Sequence, residues 1–325
     1  MIISASRRTD IPSYYSEWLF NRIKEGFVYV RNPMNIHQVS KLSLDPAVVD
    51  GLVLWTKNPA PMLGRLNGLA DYSYYFQFTL TPYQTDVETN LPSKEAVIIP
   101  VFQALSDQIG LERVIWRYDP IFLNEKYTLD YHFTSFGEMA YRLKDYTKKC
   151  TISFIDLYRS TARAMQKLGI KMLTDQDKDR LAQGLSRIAH EYGIVMETCA
   201  EGIDLHKYGI VHAKCIDEQL FEAIAGYGLK IAKDKSQRLE CGCVASRDIG
   251  MYDSCANGCR YCYANHRQQM VGINISNHDP RSPLLCGTME AGDVLKEIKT
   301  TSNKMKTSSG NINQMSIFDQ DHHVR

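Results

Sequence analysis

Over the first two hundred residues, short apolar runs rich in β-branched and aromatic residues alternate with helix-length amphipathic stretches. That alternation is the pattern of βα units. Apolar runs at 2–3, 52–55, 74–80, 113–118, 151–157 and 194–198 predict six strands. They read as continuous runs rather than in–out alternations, as strands of a parallel sheet covered on both faces require. Helices are expected over 15–23, 94–108, 129–148, 159–168 and 178–192; the first has Pro12-Ser13 at its start and Gly26 beyond its end. The runs 27–31 and 37–42 flank Asn32-Pro33 and predict an inserted hairpin. The fold class expected is α/β: a parallel βα barrel, TIM-like or partial, over residues 1–200. Residues 201–299 break the pattern and carry most of the cysteines, which predicts a cluster-binding segment packed on that barrel.

The segments just beyond the strands say more than the strands do. The six runs lead into Ser6-Arg7-Arg8-Thr9-Asp10, Thr56-Lys57-Asn58-Pro59, Thr79-Leu80-Thr81-Pro82, Arg117-Tyr118-Asp119-Pro120, Asp156-Leu157-Tyr158-Arg159 and Cys199-Ala200-Glu201. A barrel gathers the C-terminal ends of its strands on one face, where its ligand site lies. Asp and Pro also end strands and cap helices without further function. Six polar strand ends together, with Arg7, Arg8, Lys57 and Arg117 among them, predict a charged pocket. It suits an anionic substrate such as a nucleotide or phosphate, with Asp10 and Asp119 as further contacts.

Charge adds little to this picture. The 325 residues carry 38 basic and 37 acidic side chains, a net charge of +1, so no global field points to nucleic acid or membrane. No apolar stretch approaches the roughly 18 residues of a membrane span, and Met1-Ile-Ile-Ser-Ala-Ser is too short for a signal peptide. Nine cysteines, bunched towards the C-terminal half, suit metal binding in a reducing cytoplasm better than a disulfide framework.

Cys255-Ala-Asn-Gly-Cys259-Arg-Tyr-Cys262 carries the sharpest chemistry. Asn257 and Gly258 supply turn residues, so three thiolates at C-x3-C-x2-C spacing can face one inorganic core. The spacing, with Tyr261 just before the last cysteine, resembles the loop of radical S-adenosylmethionine (SAM) enzymes. There three thiolates hold a [4Fe–4S] cluster and the fourth iron is chelated by SAM. A zinc site closed by His266 and plain buried thiols are the alternatives. Cys199, Cys215, Cys241 and Cys243 are enough for a second [4Fe–4S] cluster; the alternative is that they are core residues. Cys150 and Cys286 read as packing or loop residues, and His206 and His212 as surface residues.

Together these features resemble the DUF1848 family of uncharacterised bacterial proteins. The resemblance runs through Ser4-Ala-Ser-Arg-Arg-Thr-Asp-Ile-Pro12, Trp55-Thr-Lys-Asn-Pro59, Cys199-Ala-Glu201, Cys215-Ile-Asp217 and Cys241-Gly-Cys243, up to Tyr261-Cys262-Tyr263-Ala264. Members are known for a C-terminal cysteine cluster like that of radical SAM enzymes. The resemblance implies an iron–sulfur enzyme that reductively cleaves SAM; the strand-end cations point to an anionic substrate, and the tail peptide described below to a nucleic-acid-derived one. Tyr261 and Glu201 would contact the cofactor, and a flavodoxin or ferredoxin would donate electrons. Two rivals stay open: a non-SAM electron-transfer or redox-sensing protein, and a DNA-maintenance accessory protein with structural clusters. The chain departs from ordinary radical SAM enzymes in two ways. The cysteine loop comes after the predicted strands instead of after the first one, as a circular permutation of the barrel would place it, and no Gly-Gly-Glu run is present to hold the SAM amine.

From about residue 300 the composition turns to Ser, Thr, Asn and Lys, which predicts a disordered tail over 300–325. Gln314, Met315, Ile317 and Phe318 within it resemble the Q-L-S/D-L-F peptide that docks on the bacterial DNA sliding clamp. That resemblance implies the clamp as a partner.

Overall fold

The structure is a computed structural model, and it describes residues 1–156 and 161–305. The clamp-like peptide at Gln314, Met315, Ile317 and Phe318, and Leu157-Tyr158-Arg159 after the fifth predicted strand, lie outside the described residues. The strands in chain order are β1 (Ile2–Ala5), β2 (Phe27–Asn32), β3 (Asn35–Ser43), β4 (Gly51–Thr56), β5 (Tyr74–Thr79), β6 (Val114–Ile121), β7 (Lys149–Phe154), β8 (Val195–Thr198), β9 (Val211–His212), β10 (Ser246–Asp248) and β11 (Val294–Glu297).

All six expected strands are present as β1, β4, β5, β6, β7 and β8, and they lie side by side in that order. Every pairing among them is parallel. Residues beyond 200 extend the same sheet at both edges. β9 pairs with β8, and β10 pairs with β1 through Ile2↔Ser246. The result is an eight-stranded parallel sheet flanked by helices, in the order β10-β1-β4-β5-β6-β7-β8-β9. Spatial order matches chain order from β1 to β9 without a reversal, so right-handed crossovers carry the connecting helices to one face. The expected hairpin is β2 and β3, antiparallel, with β11 added beside β3.

Neighbouring residues of a strand point to opposite faces, and both faces are covered. On the helix side, Leu52, Leu54, Phe76, Phe78, Trp116 and Ile152 pack with Trp18, Phe102, Phe136, Leu143, Leu181 and Leu185. These last six come from helices Ser16–Glu25, Ile99–Ile109, Leu129–Leu143 and Asp175–Glu191. On the other face, Ile2, Val53, Tyr75 and Ile115 pack with Cys215, Ile216, Phe221, Leu229, Cys241, Cys243 and Val244. Gly51 is required there, because a Cβ would stand 2.1 Å from the Phe221 ring. Burial on both faces is why the strands read as unbroken apolar runs.

Two helices depart from expectation for local reasons. The stretch from residue 94 opens as a π turn (Lys94–Ile98) before helix Ile99–Ile109, since Pro100 has no N–H to close an α turn onto Ala96. The next helix ends at Leu143, and Thr147 Oγ1 instead donates to the Val114 carbonyl at 2.6 Å, which feeds the chain into β7. The chain past 300 stays attached as far as Met305: the Ser302 hydroxyl (2.5 Å) and the Asn303 side chain (2.7 Å) donate to Asp50, which also pairs with the Met1 ammonium.

His132, fully buried behind β6, bonds through Nε2 to the Phe122 carbonyl and through Nδ1 to the Tyr118 hydroxyl, each at 2.9 Å. A carbonyl only accepts, so Nε2 carries the proton and the ring is neutral. Burial depresses its pKa from 6.5 to about 4, against the pull of that carbonyl. A folded-state value below the unfolded one gives stability that is complete above pH 6.5 and lost as pH falls towards 4, roughly 3 kcal/mol. Urea titrations should show unfolding free energy falling through that window by about one proton's slope more in the wild type than in His132→Gln. Parallel profiles would remove His132 from the acid response.

Candidate functional site

The C-terminal ends of β1, β4, β5, β6, β7 and β8 surround one cavity of about 500 Å³. Arg7, Arg8 and Asp10 reach it from the turn after β1, Lys57 from the end of β4, Arg117 and Asp119 from β6, and Cys199 from the end of β8. All seven cysteines of the two expected groups line it, as does Tyr261. His266 does not: its backbone bonds Asp253 and its ring lies 5.6 Å from that of Tyr252. Glu201 sits behind the wall, accepting from the Phe154 N–H at 2.8 Å, and burial raises its carboxyl to about 7. Among the described residues, no three His, Cys, Asp or Glu side chains close around a single-ion position. Both groups of thiols instead line the cavity wall, with Cys215 Sγ 3.2 Å from Cys199 Sγ.

The 255–262 loop is held from two sides. From the first βα turn, Tyr15 donates to the Ser254 carbonyl (2.6 Å) and Tyr14 to Asn257 Oδ1 (2.9 Å). From the loop after β5, Asn90 donates to the Ala256 carbonyl (2.8 Å) and Thr89 to that of Gly258 (3.1 Å). Gly258 turns with φ +68°, and a Cβ on it would stand 2.1 Å from Thr89 Oγ1, so both backbone sign and space demand glycine. Backbone N–H groups also approach the sulfurs: Ala264 donates to Cys262 Sγ at 3.3 Å. Burial pushes the Cys259 thiol up to about 12 against the attraction of the Lys57 ammonium.

The cations at the strand ends each have an acidic neighbour. Lys57 Nζ lies 2.7 Å from Glu88 Oε1 and 3.0 Å from the Tyr261 hydroxyl, which itself donates to Glu88. Lys94 takes the other carboxylate oxygen at 2.6 Å. Burial alone would raise Glu88, but the two ammoniums hold it down at about 2. Lys57 is raised by Glu88 despite burial, while Lys94 is lowered, since burial and the neighbouring Lys57 outweigh its share of the carboxylate. Arg117 pairs with Asp119 and also donates from Nη1 to Gln77 (3.1 Å) and to Cys215 Sγ (2.9 Å). Arg7 stands 3.8 Å from Asp234, and Arg8 stands 4.0 Å from Asp248 with its guanidinium over the Tyr252 ring. Asp10 accepts from Ser13 N–H (3.0 Å), Thr56 Oγ1 (2.8 Å), Lys57 N–H (2.8 Å) and Asn257 Nδ2 (3.0 Å). It therefore acts as a joint between chain segments.

Glu88, Lys94, Thr89 and Asn90 were invisible in the sequence. They lie in the polar run after β5, where nothing distinguishes a buried carboxylate from a solvated one. The profile of a family described as "Domain of unknown function (DUF1848)" matches residues 2–264, which include every strand of the parallel sheet and the whole cysteine loop. The chain belongs to this family. Among curated proteins, none matches it. The DUF1848 profile ends just past Cys262, so the β1 turn and the cysteine loop that close the cavity are both within the family region.

In this DUF1848 protein Glu88 is the carboxylate shared by Lys57, Lys94 and Tyr261, and its side chain is 1% exposed. Removing one member of a buried ionic group leaves the others uncompensated, at about 3–5 kcal/mol. Glu88→Gln should therefore lower unfolding free energy by that order, measured by urea denaturation at pH 7. A change below about 1 kcal/mol would mean that the group is solvated.

Proposed function

We propose that this protein is a radical SAM-type enzyme whose cluster is held by Cys255, Cys259 and Cys262. The observation that carries the reading is the position of their loop. It comes after β10, and β10 lies at the edge of the sheet directly beside β1. In spatial order the loop therefore comes after the first strand of a parallel series, although in chain order it comes after nearly all of them. This is the relation expected of a circular permutation, with the sheet taken as a partial barrel and residues 201–299 as its cluster-binding segment.

The donor set fits. Three soft thiolates from one glycine-turned loop suit an iron–sulfur cluster better than a hard cation. When bound, such a cluster with SAM at its open iron supplies the one-electron reduction that breaks a carbon–sulfur bond of SAM. The chain's own residues do the rest. Asp10, Asn257 and Tyr14 fix the loop. Tyr261, anchored on Glu88, forms part of the wall beside it and packs against Tyr83. Arg7 and Arg8, only loosely paired at 3.8 and 4.0 Å, are the cations best placed to recruit an anionic substrate. Lys57, beside Glu88, and Arg117, paired with Asp119, set the local field. The reducing equivalent would come from a one-electron donor such as a flavodoxin or ferredoxin.

Full-length protein, reconstituted anaerobically with iron and sulfide and reduced with dithionite, should convert SAM to 5′-deoxyadenosine. The Cys259→Ala variant should form none. Iron-loaded, reduced wild type that leaves SAM intact would contradict the proposal.

A further inference from the structure

A second group of thiols meets on the face of the sheet opposite the long helices. Cys199 comes just after β8, Cys215 just after β9, and Cys241 and Cys243 come from the strand-poor stretch before β10. Cys215 Sγ is 3.2 Å from Cys199 Sγ, and the Ile216 N–H points at Cys243 Sγ at 3.4 Å. The backbone around them is pinned: Tyr75 Oη and Gln77 Nε2 both donate to the Cys215 carbonyl at 2.9 Å. Gly242 is confined, since a Cβ would meet the Ala213 carbonyl oxygen at 3.0 Å.

Simple packing does not account for this arrangement. A hydrophobic core has no use for a buried guanidinium, yet Arg117 directs Nη1 at Cys215 Sγ at 2.9 Å. Asp119 balances its charge, but the guanidinium edge turned to Cys215 meets an acceptor of matching strength only if that sulfur carries negative charge. A Cys199–Cys215 disulfide would leave Cys241 and Cys243, one residue apart, with no use for their inward position. Four sulfurs, an N–H donor to one of them, a cation beside another and open volume in front suit an all-thiolate cluster.

We infer that Cys199, Cys215, Cys241 and Cys243 hold a second iron–sulfur cluster, distinct from that of the 255–262 loop. Each thiol gives up its proton as its sulfur bonds an iron of a core assembled from iron and sulfide. Four protein ligands leave no open iron, so this cluster does not take SAM. The inference stands independently of the function proposed above.

The test is iron and acid-labile sulfide content of anaerobically reconstituted full-length protein, with electron paramagnetic resonance of the reduced form. Wild type should hold about eight irons, four per cluster. The Cys255→Ser/Cys259→Ser/Cys262→Ser variant should keep about half, with a spectrum unchanged by added SAM. The Cys241→Ser/Cys243→Ser variant should keep the other half. Wild type with about four irons, all lost in the loop variant, would overturn the inference, as would stoichiometric zinc or a Cys199–Cys215 disulfide. Iron missing only from the loop would overturn the function proposed above and leave this site standing.

Discussion

The carboxylate of Asp10 joins the parts that make the cavity. Its four hydrogen bonds reach the first βα turn through Ser13, the end of β4 through Thr56 and Lys57, and the cysteine loop through Asn257. Asp10 and Asn257 are 247 residues apart, so one side chain ties the start of the chain to the cysteine loop. Burial raises the Asp10 carboxyl above its ordinary value, while these donors pull it down. Buried carboxylates are tolerated only where such donors compensate for lost water. The loop, the first βα turn and the end of β4 thus meet at one buried group.

Charge compensation shapes the remainder of the site. Around Glu88, two ammoniums against one carboxylate leave one net positive charge, and Lys57 in that group acts on Cys259. At the other thiol group, Arg117 is balanced by Asp119 and still donates to a sulfur. Cations fixed beside sulfurs pull towards the thiolate, the form that binds metal, although burial outweighs that pull at Cys259.

Much of the fold was legible because its strands are buried on both faces. Leu52 to Trp55 or Tyr74 to Thr79 announce themselves as apolar runs, and Asn32-Pro33 marks the hairpin. The edge strands were not legible. β9 is two exposed residues, and β10 is Ser-Arg-Asp, a polar triplet defined only by its pairing with β1. Yet β10 is what brings the cysteine loop beside the first strand. At the site, sequence showed which charges stand at strand ends but not what they face. Lys57 and Arg117 read as substrate-binding cations, and their partners Glu88 and Gln77 come from elsewhere in the chain. Cysteine spacing pointed to the loop directly. That the other four thiols share its cavity depends on the way residues 201–248 cross the sheet.

The central claim is that one cavity, closed by strand ends and the cysteine loop, holds two thiolate-bound iron centres. Anomalous X-ray scattering at the iron edge from anaerobically reconstituted crystals tests it most directly. The account predicts two separate iron peaks within the cavity, one against Cys255, Cys259 and Cys262 and one against Cys199, Cys215, Cys241 and Cys243. Iron confined to one thiol group, or thiols of both groups packed against each other with no metal between them, would contradict it.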